Sequence, residues 1–235
     1  MFKIEEHAIT RFVFLHIGQN DFPKYLVASI REHMPAAEII QCSDDRAQEI
    51  SGIDRLFRLK DYDGKLMTFR LRAFAELELL KEAIYLDTDI LLLRSFNTRE
   101  LIPESTVGLC RRHFYRNDLM NMQFGNLLFT EFKSKTVDDV FPYIASFTIT
   151  PDYSFWRKAS ECLLNLEARY HYWFGDQEAI KRLRAEELIA FSDVSEAVVS
   201  CLPEFLSKVA NPLAVHFKGA HRKKLMLQRM THGRV

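Results

Sequence analysis

The chain has no Cys-x-x-Cys pair. Its four cysteines, Cys42, Cys110, Cys162 and Cys201, lie far apart, which argues against a zinc knuckle or a disulfide framework. They read as reduced, mostly buried thiols. Net charge is also missing, because 32 Lys and Arg balance 32 Asp and Glu. A dedicated nucleic-acid binder usually carries a basic excess, so nucleic acid is not an expected partner. No apolar run approaches the roughly 20 residues of a membrane span. The start, Met1-Phe2-Lys3-Ile4-Glu5-Glu6, lacks the apolar stretch of a secretory signal. A cytoplasmic location is the expectation. There is no internal repeat, no low-complexity segment and no linker. One domain over 1–220 is therefore expected, followed by a basic tail over 221–235.

What is present is core material. Hydrophobic residues make up 48% of the chain, with nineteen Phe and eight Tyr, enough for a thick core. Short β-rich runs at 11–17, 38–42, 54–59, 83–86, 90–93, 106–110, 123–129, 188–192 and 213–217 read as strands. Helices are expected from Pro23 to His33 and over 66–81, 136–146, 153–170 and 176–187. Strands alternating with helices indicate an α/β fold with a mainly parallel central sheet flanked by helices. Ligands of such sheets sit beyond the carboxyl ends of the strands. That directs attention to Gly18–Asp21, Asp44, Asp87–Asp89 and His216.

Three segments there carry chemistry. Tyr85-Leu86-Asp87-Thr88-Asp89 puts two carboxylates at the end of a buried strand, where hard oxygens suit Mg²⁺ or Mn²⁺. The bland alternative is a strand-end turn whose Asp side chains cap backbone amides. Val215-His216-Phe217-Lys218-Gly219-Ala220-His221-Arg222-Lys223 delivers an imidazole, a glycine that lets backbone approach a ligand, and a basic cluster able to hold phosphate. His216 could equally be a satisfied core histidine. Gly175-Asp176-Gln177-Glu178 has the acids of a helix start, but that does not account for Gln177.

Together these segments resemble the GT-A glycosyltransferases, most closely family 8, which includes glycogenin and bacterial lipopolysaccharide galactosyltransferases. That family has Tyr-Leu-Asp-x-Asp, a later Asp-Gln opening a helix, and His-x-x-Gly followed by a basic residue, in this order. The resemblance implies a Rossmann-like GT-A domain that binds a nucleotide sugar. It implies Asp87, Asp89 and His216 as ligands of Mn²⁺ (or Mg²⁺), and Lys218, Gly219 and Arg222 or Lys223 closing over the diphosphate of a UDP-sugar. Thr88 stands between the two acids. Arg70, with Arg72 as its rival, corresponds to a donor-binding arginine. His16, Gly18 and Asp21 correspond to the segment that holds base and ribose. Asp176 and Gln177 correspond to catalytic positions near the reacting sugar and acceptor. The implied activity is hexosyl transfer to a glycan or lipid-linked saccharide, with retention. Whether a carboxylate nucleophile or a one-face reaction achieves retention stays open.

Some positions depart from the family pattern. Gln123-Phe124-Gly125 replaces Asn-Ser-Gly, Glu178 stands where a second Asp is usual, and Arg222-Lys223-Lys224 replaces Lys-Pro-Trp. Two rivals remain. One is a non-catalytic sugar-nucleotide or glycan-binding protein on the same fold. The other is a haloacid-dehalogenase-type phosphohydrolase, disfavoured by Leu91 and Ile180 where that family wants Thr or Val and an acid. The tail has Arg222, Lys223, Lys224, Arg229 and Arg234 with Leu225, Met226, Leu227 and Met230. Peripheral contact with an anionic membrane surface is one expectation for it, and a plain solvated end is the other.

Overall fold

A computed structural model describes residues 9–186 and 189–231. The sequence start, the expected strand's beginning at 188 and Arg234 lie outside the described residues, as do the side chains of Arg229 and Met230.

The chain runs β1 (Arg11–His16), α1 (Phe22–His33), β2 (Glu38–Ser43), β3 (Arg55–Arg58), α2 (Leu66–Glu76), β4 (Ala83–Leu86), β5 (Ile90–Leu92) and β6 (Val107–Arg111). A short hairpin follows, β7 (Gln123–Phe124) and β8 (Leu127–Leu128), then α3 (Val137–Val140) and β9 (Tyr143–Thr150). The last elements are α4 (Ser154–Leu164), α5 (Gly175–Ala185), β10 (Phe191–Ser195), α6 (Glu196–Val199), β11 (Ala214–His216) and α7 (Ala220–Thr231).

Among the described residues, seven strands form the main sheet in the order β10-β6-β9-β4-β1-β2-β3. All pairings are parallel except those of β9, which runs antiparallel to both β4 and β6. The expected mainly parallel α/β architecture is observed. β1 and β4 are covered on both faces and read as near-continuous apolar runs. Along β1, Val13 faces a cluster with Phe74, Tyr85, Trp156 and Ile180, contributed by α2, β4, α4 and α5. Phe12 and Phe14 face the other cluster, with Leu26 and Ile30 of α1 and Ile90 of β5. Cys42, Cys110 and Cys201 are buried, Cys162 is half-buried, and none is in a disulfide.

Several element boundaries differ from the sequence expectations. The helix expected over 136–146 is instead the four-residue α3 followed by the start of β9. Pro142 lies between them and cannot continue a helix, while Tyr143–Thr150 is a β-rich stretch buried along its whole length. The helix expected to reach 81 ends at Glu76, and Glu78 adopts a positive φ of 49°. The one expected to reach 170 ends at Leu164 with Asn165 at its cap. The run 123–129 is a hairpin turning at Gly125 and not one strand.

Two arrangements position the site. β1 pairs with β2 on one side and β4 on the other, so the strand order reverses there and a crevice opens at the carboxyl ends. Outside the main sheet, β11 pairs antiparallel with β5, with His216 opposite Ile90. This brings the chain's late segment beside Asp87–Asp89. The described part of the expected tail is α7. It seats Met226, fully buried, among Leu91, Val215 and Phe217. No helix of the described residues is long and apolar enough to cross a membrane.

Candidate functional site

Asp87 follows the last residue of β4, and its backbone N–H donates to Ser146 O (3.0 Å), continuing the ladder to β9. Two residues on, the Asp89 carbonyl accepts from the Phe217 N–H at 2.9 Å. These bonds hold both acids and His216 in a fixed frame. His216 Nε2 lies 3.3 Å from Asp89 Oδ1 and 3.8 Å from Asp87 Oδ2. One ligand atom from each of the three residues lies within 4.8 Å of the others, close enough to bind one metal ion. Two carboxylates and an imidazole make a mixed oxygen and nitrogen set.

The opposite side of the His216 ring is also held. Ser200 Oγ is 2.9 Å from Nδ1, and Ser146 Oγ is 2.9 Å from Ser200 Oγ. Ser200 orients the ring with Nε2 toward the carboxylates, and the neutral tautomer with its proton on Nδ1 would free Nε2 to bind a metal. Burial alone would raise the Asp89 carboxyl, but His216 and Lys223 beside it hold it well below the usual range. Lys223 Nζ lies 3.2 Å from Asp89 Oδ2.

A second charged group adjoins the first. The buried Arg70 reaches Asp87 Oδ1 with Nη2 (2.8 Å) and Asp176 Oδ2 with Nη1 (3.1 Å). It also donates to Ala145 O at 2.7 Å. Burial opposes its charge, but the two carboxylates outweigh that and hold its pKa above the ordinary value. Burial raises the Asp176 carboxyl, only partly offset by Arg70. Both Asp176 oxygens are engaged, since Oδ1 accepts from the Gln177 N–H at 2.8 Å. Gln177 Oε1 accepts from Arg112 Nη2 at 3.0 Å.

These groups share a cleft of about 930 Å³. Asp87, Thr88, Asp89, Arg70, Asp176, Gln177, His216, Lys218, Gly219, Arg222 and Lys223 all line it. Gly219 has φ +85°, a conformation that a side chain disfavours. Burial, with Arg112 nearby, pushes the Lys218 ammonium down to about 8. Arg222 Nε lies 2.9 Å from Glu204 Oε2, so its charge is shared with an acid. Arg72 turns away, donating to Lys60 O at 2.5 Å and lying over the Phe69 ring. Of the two arginines, Arg70 is the one in the cleft.

The first loop stands apart. The cleft takes Leu15 from β1, whereas His16, Gly18 and Asp21 are not among its lining residues. His16 is buried, and burial lowers its pKa against the opposing effect of the Gln48 and Asn20 backbone. Gly18 has φ +79°, and the exposed Asp21 pairs with Lys24 at 2.6 Å. Sequence reasoning missed Arg112, Ser146 and Ser200. Arg112 directly follows β6, so the strand-end rule could have flagged it. Nothing in the sequence distinguishes the two serines.

No protein-family model matches the chain, and no curated protein matches it.

Proposed function

We propose that this protein is a metal-dependent glycosyltransferase of GT-A type. It would move a hexose from a UDP-sugar to a saccharide or lipid-linked saccharide, with retention. The observation that carries this reading is the convergence of Asp87, Asp89 and His216 in a cleft at the point where the strand order reverses. The donor set fits Mn²⁺ or Mg²⁺, since its oxygens are hard and its one imidazole has an oriented Nε2. Bound there, a divalent cation would neutralise the diphosphate and stabilise it as it leaves.

The remaining steps belong to the chain's own groups. Lys218 and Lys223 add positive charge along the cleft, and the start of α7 adds backbone N–H groups suited to an anion. In the transfer, the bond from the anomeric carbon to the phosphate oxygen breaks, and its electron pair stays on the nucleoside diphosphate. The acceptor hydroxyl oxygen forms the new bond to that carbon, and its proton passes to the departing phosphate. Asp176 is held through both oxygens, which favours an electrostatic and orienting role over attack on carbon. Gln177 offers its amide nitrogen to sugar hydroxyls.

The test is release of free UDP from a panel of UDP-sugars with Mn²⁺. EDTA should abolish release, and Asp89→Ala should lower turnover at least about a hundredfold. Full activity in EDTA, or turnover of phosphate esters in place of UDP-sugars, would overturn the proposal. Mn²⁺-dependent UDP binding without turnover would assign a non-catalytic binder.

A further inference from the structure

The cleft that holds the acids is also lined by a pair of aromatic side chains. Phe124, on β7, and Trp173, just before α5, stack with ring centroids 5.2 Å apart and planes inclined by 23°. Both line the cleft, yet they remain 37% and 40% exposed. Large aromatic side chains normally bury most of their area, so two left open together beside a cleft indicate a ligand surface.

The backbone is arranged to present them. Phe174 sits in the left-handed region at φ +60°, a conformation in which a bulky side chain is an outlier. Its ring is fixed against Phe141 at 4.6 Å and Phe124 at 4.8 Å. At Gly175 an added Cβ would collide with the Tyr170 carbonyl oxygen and Leu163. This strained turn places Trp173 and, three and four residues on, Asp176 and Gln177 in the lining of one cleft.

We infer that the Phe124–Trp173 pair is a stacking platform for a pyranose ring of the acceptor saccharide. The inference rests on the glycosyltransferase reading for the word acceptor, but the surface itself can be tested without it. The apolar C–H face of a pyranose covers a flat ring, while its equatorial hydroxyls need polar partners at the rim. Gln177, Asn121 and Asp118 supply such partners in the same cleft. A lipid chain would leave these groups desolvated and unpaired, which favours a sugar over an acyl chain.

The chain's own fluorescence reads this surface. It has two tryptophans, of which Trp156 is fully buried, so an emission change on ligand addition reports Trp173. Full-length protein with Mn²⁺ and UDP is titrated with glucose, galactose, lactose, maltose and cellobiose, with sorbitol as a polyol lacking a ring face. A saturable change is expected with at least one saccharide and not with sorbitol. Phe124→Ala should weaken it roughly three- to tenfold, the scale of one aromatic contact. UDP binding with Mn²⁺, measured by calorimetry, should be unchanged in Phe124→Ala and Trp173→Ala. If UDP binds normally and no saccharide alters Trp173, the platform is wrong and the proposed function stands. If saccharides bind through Phe124 but UDP does not bind, the platform stands and the proposed function fails. A blue shift with phosphatidylcholine–phosphatidylglycerol vesicles but none with sugars assigns the surface to lipid and overturns the inference.

Discussion

Ser200 Oγ lies 2.9 Å from Nδ1 of His216, on the side of the ring away from Asp89. Both residues are buried, so this contact fixes which ring nitrogen can act as a ligand. Ser200→Ala should weaken Mn²⁺ binding by about 10- to 100-fold, the usual effect of losing such an outer partner. It should also lower stability by about 1–3 kcal/mol, because His216 and Ser146 lose a buried partner. Calorimetric titration with Mn²⁺ checks the first effect. Wild-type affinity in Ser200→Ala would show that the ring is held without it.

Arg70 serves two carboxylates at once. Arg70→Met should destabilise the protein by about 3–5 kcal/mol at neutral pH, because a buried acid is left unpaired. Burial already raises the Asp176 carboxyl, and loss of Arg70 would raise it further. A raised folded-state pKa contributes stability at low pH that disappears as pH rises through it. The deficit of Arg70→Met should therefore narrow as pH falls through the raised pKa toward the ordinary carboxylate value, and change no further below it. Urea unfolding of both proteins across pH measures this, and a deficit that does not change with pH contradicts it.

The α7 N-terminus is tied to the turn Pro203–Phe205 by Arg222 and Glu204, whose carboxyl is held down to about 2 by hydrogen bonds from Arg222. A lowered folded-state pKa gives stability that is present above the ordinary value, near 4.5, and lost as pH falls toward 2. The pair is partly exposed, so it is worth at most about 1 kcal/mol. Glu204→Gln should be slightly less stable than wild type at pH 7, and the two should converge near pH 2. Equal stability at pH 7 would mean solvent screens the pair completely.

Gly175 admits no side chain, because an added Cβ meets the Tyr170 carbonyl. Gly175→Ala should cost about 1–3 kcal/mol, the scale of overpacking a tight site, and should reduce the proposed transferase activity by displacing Asp176 and Gln177. Melting temperature and turnover are the measurements. An unchanged melting temperature would mean the 170–175 turn relaxes freely.

The chemistry of the site was legible in the sequence because it resides in local runs. A buried apolar strand ending in Asp87-Thr88-Asp89, and another delivering His216, are visible wherever apolar residues stop and polar ones begin. β9 was missed as a strand, although Ser146, Thr148 and Thr150 alternate with Phe147 and Ile149. Packing between β4 and β6 buries its polar face as well as its apolar one, which alternation does not announce. Pro142 was the available signal against a helix there.

What the sequence alone determined was the α/β class and the identity of the acids and the imidazole. Burial periodicity and turn chemistry are properties of neighbours in the chain. Only the tertiary structure decided that His216 meets Asp89, through pairing of β11 with β5. It also selected Arg70 over Arg72, brought Ser200 to His216, and kept His16, Gly18 and Asp21 out of the cleft lining. Those outcomes depend on contacts between residues distant in the chain, and the shared burial and hydrogen bonds that select them exist only once the sheet has assembled.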